Sequence, residues 1–152
     1  VRCFNFYAPR QKDTGYGGAI SIFTKRVLNN QPPIIYGDGS QTRDYMYFKD
    51  AIKAYDLVMK SDNKNHDRIV NFGTGVETSI LDLANKIIKI VGKDLKPVFV
   101  SQRPGEVSRL HCNYNKAKEL YNFVPEYSID QGLNEFVDWY KNHKSEEWTK
   151  MG

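Results

Sequence analysis

The stretch from residue 69 to residue 92 reads IVNFGTGVETSILDLANKIIKIVG, and it contains the strand and helix signals that decide the fold class. Residues 69–72 are short and apolar, which predicts a buried strand. Ser79 and Asp82 resemble a capping box at the start of a helix, and Gly92 is a typical stop. The apolar stripe between them is the most regular of the chain and comprises Ile80, Leu83, Ala84, Ile87, Ile88 and Val91.

Gly73-Thr74-Gly75 joins this strand to this helix and allows two interpretations. Glycines at such a place can bring a backbone close to a phosphate at a helix N-terminus. The dinucleotide fingerprint, however, requires a third glycine three residues on, where Thr78 stands, and an acidic residue about 20 positions later. Because no strand end offers that acidic residue, the pattern favours a tight turn between strand and helix.

Strand and helix signals alternate along the rest of the chain. Further strands are predicted over residues 2–7, 34–36, 45–48 and 97–101, with a loop over 8–18 and a turn over 37–40. Further helices are predicted from about residue 20 to 29, over 51–60 and 115–121, and after a capping box at 128–131. Asp50 is expected to cap the 51–60 helix, whose apolar face carries Ile52, Tyr55 and Met59. The fold class is therefore α/β, with too few regular units for a complete doubly wound sheet.

Length and composition exclude several classes of protein. The chain has 152 residues, enough for one domain, and no run of about 20 apolar residues that would span a membrane. The net charge of +4 is scattered among carboxylates, which does not favour nucleic acid as a partner. Cys3 and Cys112 form no paired motif and are predicted to be reduced thiols of a cytoplasmic protein. The chain opens on a predicted strand without a signal peptide, so we expect a further part upstream.

Three positions are candidates for ligand contact. Arg43 follows a glycine-rich turn, and its planar guanidinium suits a diphosphate, with Asp44 placed to orient it. Arg103 and Glu106 flank Pro-Gly and could hold a phosphate and ribose hydroxyls. Asn5 ends the first predicted strand. Taken alone, a solvated surface turn is the favoured explanation for Arg43 and for Arg103 with Glu106, and Asn5 could equally be a strand-end hydrogen bond. The histidines, His66, His111 and His143, lack the spacing of a zinc site.

Taken in order, these segments resemble the extended short-chain dehydrogenase/reductase family, and most closely its UDP-glucose 4-epimerase-like NAD-dependent epimerases and dehydratases. The likeness runs from residue 1 to about residue 140. Five motifs in the family's order carry it: RCFNFYAPRQ at 2–11, GDGSQTRDY at 37–45, Asp50-Ala51, NFGTG at 71–75 and RPGE at 103–106. The resemblance implies the C-terminal part of this fold, with mixed small sheets, helices and an incomplete Rossmann sheet.

The resemblance also implies roles for individual residues. The substrate would be a nucleotide-diphosphate sugar, with UDP-hexose the expected class. The residues expected to bind it are Asn5, Gly18, Ala19, Ile34, Ile35, Tyr36, Arg43, Arg103 and Glu106. In this scheme Asn5, Arg43 and Arg103 contact the diphosphate, residues 34–36 line the nucleobase pocket and Glu106 binds the ribose. Cys3 and Phe4 occupy positions that lie beside the nicotinamide of NAD in relatives.

The chain departs from the family in two respects. Ala8 stands where relatives have glycine, so the loop that follows is expected to differ. The glycine-rich NAD loop and the catalytic Tyr-x-x-x-Lys pair are missing, and Tyr140 with Lys144 is a chance match near the C-terminus. We therefore expect an absent N-terminal NAD-binding half, no catalytic residue here and no turnover by the chain alone. A non-catalytic nucleotide-sugar-binding module is the alternative, and exposed apolar surface is expected where a partner half would lie.

Overall fold

A computed structural model of the protein describes residues 1–14, 17–62 and 69–143, so His66 and Lys144 lie outside the described residues. Seven short strands and five helices are found in these ranges. In chain order they are β1 (Arg2–Cys3), α1 (Ala19–Leu28), β2 (Ile34–Tyr36), β3 (Thr42–Arg43), α2 (Phe48–Lys60), β4 (Asn71–Phe72), β5 (Thr78–Ser79), α3 (Ile80–Val91), β6 (Val98–Val100), β7 (Arg109–Leu110), α4 (Asn115–Tyr121) and α5 (Ile129–Asn142).

The strands form three small sheets. β1 pairs with β4 and β2 pairs with β6, each in parallel. In the third sheet the central strand β3 lies antiparallel to β5 and parallel to β7. The prediction of an α/β fold with mixed small sheets and helices is therefore confirmed.

Helices α1, α3 and α5 pack together around the larger of two apolar cores. Val27, Leu83 and Phe136 are each fully buried there. The second core lies under α2 and α4, where Phe72 contacts Phe123 edge to face at 5.0 Å between ring centroids. The apolar stripe predicted for residues 80–91 thus points inward in α3.

The predicted helix ends are largely confirmed. Ser79 Oγ accepts the Asp82 backbone N–H at 3.0 Å, and Gly92 ends α3 with a φ of 76°. Ser128 and Gln131 form the complete capping box that begins α5, with bonds of 3.2 and 3.0 Å. Helix α4 spans the predicted residues 115–121.

The prediction for residues 45–60 was wrong in three ways. Residues 45–48 form no strand, because β3 ends at Arg43 and α2 begins at Phe48. Asp50 does not cap α2; it lies in the first turn, where its carboxylate accepts the backbone N–H groups of Glu126 and Tyr127 at 2.9 and 3.1 Å. The buried face of α2 carries Ala51 and Ala54. The predicted apolar face is turned outward, with Ile52, Tyr55 and Met59 exposed by 59, 52 and 83%.

The first predicted strand is shorter than expected. β1 stops at Cys3 because the chain bends at Asn5, which has a φ of 34°. Tyr7 then forms an isolated parallel bridge with Tyr47. The strands predicted over 69–72 and 97–101 are likewise reduced to β4 and β6.

Candidate functional site

Two adjoining clefts open at the N-terminus of α1. The larger cleft, of about 480 Å³, is lined by Ala19, Ile34, Tyr36, Arg103 and Glu106 together with other side chains. The smaller cleft, of about 240 Å³, is lined in part by Asn5, Gly18, Ala19, Arg43 and Glu106. Segments that are up to a hundred residues apart in sequence therefore meet at one place.

The N-terminus of α1 presents backbone N–H donors to these clefts. Gly18 precedes the helix with extended backbone angles, no side chain of the described residues caps it, and the first turn carries no acidic residue. The first N–H groups of a helix lack partners within the helix, and they form the positive end of its dipole. This end of α1 is therefore suited to an anion.

Ala8, where the chain departs from the family's glycine, does not have a positive φ. The described non-glycine residues with positive φ in this part of the chain are Asn5 and Arg10, at 34° and 67°, and Ala8 is not among them. The alanine therefore needs no left-handed conformation.

Arg43 projects from the end of β3 into the smaller cleft. Its Nη1 donates to the Thr42 carbonyl at 2.7 Å, and its Nη2 lies 3.5 Å from Oε1 of Glu106. Both side chains of this pair are more than four-fifths buried. The prediction that Asp44 orients Arg43 was wrong, because Glu106 holds that position.

Asp44 instead organises the backbone beneath the cleft. Its carboxylate is fully buried and accepts the N–H groups of Thr74, Gly75 and Cys112 at 3.0, 2.8 and 3.3 Å, and the Thr74 hydroxyl at 2.6 Å. Its carbonyl accepts Nδ2 of Asn5 at 3.2 Å. The glycine-rich segment 73–75 is thus a tight turn wrapped around a carboxylate, as the sequence favoured.

Arg103 and Tyr36 stack at the larger cleft. The guanidinium carbon lies 3.8 Å from the centroid of the tyrosine ring, a separation typical of a cation–π contact. Guanidinium and ring together place a flat, positively charged surface beside the apolar side chain of Ile34.

Three residues that line the clefts have a buried oxygen atom without a hydrogen-bond partner among the described residues. These atoms are Oε2 of Glu106, Oε1 of Gln11 and the hydroxyl oxygen of Tyr7. Tyr45 also lines the smaller cleft, and burial raises the pKa of its hydroxyl well above its ordinary value, although Arg43 nearby acts in the opposite direction. The site therefore combines acceptors that need a donor with a hydroxyl that stays protonated.

Three predicted residues do not line either cleft. Ile35 belongs to the larger core and is 1% exposed, because strand alternation turns Ile34 and Tyr36 to the cleft and Ile35 away from it. Its predicted place in the nucleobase pocket was therefore wrong. Cys3 and Phe4 lie at the carboxyl end of β1, where Cys3 packs against the second core.

Several lining residues were missed in the sequence. They are Gln11, Ile22, Phe23, Arg26, Gln41, Tyr45 and Ile80, together with Phe6, Tyr7, Gly17 and Ile20. Helical spacing would have indicated Ile22 and Arg26, which lie three and seven residues after Ala19 on the same face of α1.

Other kinds of site find no support in the parts of the chain that are described. No group of three or more His, Cys, Asp or Glu residues there could hold a metal ion. None of the helices described has the length and apolar character needed to cross a bilayer. Both cysteines are free thiols, as predicted, and burial raises the pKa of Cys112 to about 12.

Comparison with known proteins places this arrangement in a family. The model of the GDP-mannose 4,6 dehydratase family matches residues 1–136. A UDP-N-acetyl-alpha-D-glucosaminuronate decarboxylase from Bacillus cytotoxicus is 34% identical over 147 residues, which cover 93% of this chain and 45% of the relative. The chain thus spans less than half the length of such relatives.

Solved structures agree in fold and in sequence. A UDP-glucose 4-epimerase from Thermotoga maritima, crystallised with UDP-glucose, has a TM-score of 0.87 and 35% identity over 93% of this chain and 45% of its own. A UDP-glucuronic acid 4-epimerase from Bacillus cereus, in complex with UDP-glucuronic acid and NAD, has a TM-score of 0.84 and 31% identity over 93% and 44%. With the family model matched along most of its length, the chain belongs to the GDP-mannose 4,6-dehydratase family of extended short-chain dehydrogenase/reductase epimerases and dehydratases.

Proposed function

We propose that this chain is the nucleotide-sugar-binding part of an NAD-dependent sugar-nucleotide epimerase or dehydratase, and that UDP-hexose is its ligand. The observation that carries the proposal is the meeting of the N-terminus of α1 with Arg43 and Arg103 at two adjoining clefts. A dianionic ligand is favoured there, because helix dipole and guanidinium charge add in one partly buried place.

The diphosphate lies between the two clefts in this proposal. Backbone N–H groups at the start of α1 donate to one phosphate, and Arg43 offers the forked donor geometry that suits phosphate oxygens. Asn5 also lines the smaller cleft. Glu106 and Arg43 are only 3.5 Å apart, so the carboxylate holds the guanidinium in place until phosphate arrives.

The nucleoside occupies the larger cleft. Its volume lies within the range of about 300–1,000 Å³ that is usual for small-molecule sites. Ile34 and Tyr36 supply apolar contact for a base, and Arg103 supplies further positive charge. The unpartnered Oε2 of Glu106 accepts a ribose hydroxyl, since a carboxylate can only accept. The uridine moiety is suggested by relatives that bind UDP-sugars.

An N-terminal half is proposed to complete the enzyme. Arg2 and Phe4 donate their N–H groups to the carbonyls of Val70 and Phe72, so the N–H of Cys3 points to the other edge of β1, where no described strand pairs. Parallel strands occur in larger sheets that are covered on both faces. The outward apolar side chains of α2 agree with a covered position. We propose that a strand and helices of the missing half cover these surfaces.

NAD would supply hydride acceptance and return when it is bound in the whole enzyme. This chain would contribute Cys3 and Phe4, which lie at the carboxyl end of β1, the place where open α/β sheets bind cofactors. The half-buried Cys3 leaves room for contact at that edge. The residues that move the sugar proton are proposed to lie in the other half, so the chain alone should not epimerise UDP-glucose in the presence of NAD.

Titration calorimetry with UDP tests the binding proposal. Arg43→Ala should weaken UDP about tenfold or more, because a hydrogen bond to a charged group contributes about 1.5–3 kcal/mol. Arg109→Ala is the matched control, since this arginine pairs with Glu77 on the surface and lines neither cleft. Failure of the unmodified chain to bind UDP, or equal affinity in the Arg43 variant, would refute the proposal.

A further inference from the structure

Asp13 lies between β1 and α1, and both oxygens of its carboxylate are engaged. Lys25 Nζ of α1 donates to Oδ1 at 3.1 Å, and the Tyr140 hydroxyl of α5 donates to Oδ2. The Asp13 side chain is only 11% exposed. Because water is largely excluded and the donors come from two different helices, this carboxylate holds its segment more firmly than a surface ion pair would.

A second contact holds the same segment at Lys12, one residue before Asp13. Ser21 lies four residues before Lys25 on the same face of α1 and is fully buried. Its hydroxyl is 2.8 Å from the Lys12 carbonyl and 2.9 Å from the Gly18 carbonyl. Residues 12 and 13 are therefore fixed against the first turns of α1.

Gln11 directly precedes these two residues in the sequence and reaches the smaller cleft. Its side chain packs against Gly18, where an added Cβ would lie 2.8 Å from Nε2. It lines the cleft beside Asn5 and Arg43, and its buried Oε1 has no partner among the described residues. The position of Gln11 relative to the start of α1 thus depends on how residues 12 and 13 are held.

We propose that Asp13 is a positioning residue for the smaller cleft. It ties the segment that carries Gln11 to α1 and α5, and so keeps the amide at the site before a ligand enters. Asp13 itself lines neither cleft and acts only through this segment. The identity of the ligand rests on the proposed function, whereas the contacts that hold residues 12 and 13 against α1 and α5 do not.

Limited trypsin digestion tests the fastening without any ligand. Tyr140→Phe removes one donor to Asp13 and leaves the sequence around the exposed Arg10 unchanged. Cleavage after Arg10 should become several-fold faster, while cleavage after Lys89 in α3, which reports global unfolding, should keep its rate. Glu135→Gln is the matched control, because this carboxylate also accepts one tyrosine and one lysine donor but lies away from the clefts.

UDP affinity tests the positioning. Asp13→Asn and Tyr140→Phe should each weaken UDP by about tenfold at most, with the Asp13 change larger, and Glu135→Gln should bind as the unmodified chain does. Unchanged cleavage after Arg10 overturns the proposal, as does faster cleavage with unchanged UDP affinity. If the unmodified chain does not bind UDP, the proposed function fails, and faster cleavage in Tyr140→Phe alone still supports the fastening. If Asp13→Asn does not fold, Tyr140→Phe decides both measurements.

Discussion

Replacing Asp44 by asparagine should strongly destabilise the protein, although the change removes only a charge. The carboxylate is fully buried and accepts four hydrogen bonds, two at each oxygen. An asparagine keeps one acceptor oxygen and turns an NH₂ group toward the remaining donors. With the oxygen toward Thr74, the N–H groups of Gly75 and Cys112 lose their acceptor. With the opposite orientation, only the Thr74 N–H loses its acceptor, because the Thr74 hydroxyl can rotate to another arrangement.

The number of lost acceptors sets the size of the effect. One or two backbone N–H groups lose a bond to a charged partner, and each such bond contributes about 1.5–3 kcal/mol. We therefore expect a loss of about 2–5 kcal/mol in the free energy of unfolding, a large share of the roughly 5–15 kcal/mol that is typical of folded proteins.

Urea unfolding followed by circular dichroism measures this loss by linear extrapolation. Asp56→Asn is the control, because Asp56 is half exposed and pairs with Lys60 on the surface of α2. The control should change stability by less than about 0.5 kcal/mol. A loss below about 1 kcal/mol for Asp44→Asn would show that the turn at residues 73–75 does not depend on this carboxylate.

Three further predictions concern other parts of the fold. Gly132→Ala should cost about 1–3 kcal/mol in urea unfolding, because a Cβ would overlap the Tyr7 hydroxyl, and Tyr7→Phe should recover most of it. The pKa of the buried Cys112 thiol is raised to about 12, whereas Cys3 is only half-buried. Iodoacetamide at pH 8 should therefore alkylate Cys112 far more slowly than Cys3, as measured by peptide mass spectrometry. Equal rates would contradict this prediction. Two hydrogen bonds from Arg109 lower the pKa of the Glu77 carboxyl to about 2. The stabilising contribution of Glu77 is therefore present above about pH 4.5 and is lost as the pH falls toward 2. Glu77→Gln should flatten that part of the pH dependence of the urea midpoint, and an unchanged profile would exclude the effect.

Regular parts of the fold could be predicted because their signals are local. The stripe of α3, the capping box of α5 and the left-handed Gly92 each depend on residues within a few positions of one another. The buried face of α2 could not be predicted from local signals. Its apolar residues Ile52, Tyr55 and Met59 have the spacing of a buried face, and only tertiary packing of Ala51 and Ala54 decides which side faces the core.

The candidate site could be predicted in its main members but not in its pairings. Arg43 and Glu106 were both expected, yet they are 63 residues apart in sequence, and no local signal joins them. Ile35 shows the opposite failure, because alternation along β2 was a local signal that already indicated a core position. Gln11 was missed since its place in the cleft depends on contacts of its neighbours with α1 and α5.

The dipeptide Arg43-Asp44 explains why the wrong partners were predicted. Neighbouring residues of an extended segment point to opposite sides, so a charge pair within one dipeptide is unfavourable there. Arg43 consequently faces the cleft and meets Glu106, whereas Asp44 faces inward and fixes the turn at 73–75. The Asp44 carbonyl also accepts from Asn5, which lines the same cleft. One buried carboxylate residue thereby joins three segments beside the arginine, and we expect substitutions of Asp44 to alter the stability of the fold and the proposed binding together.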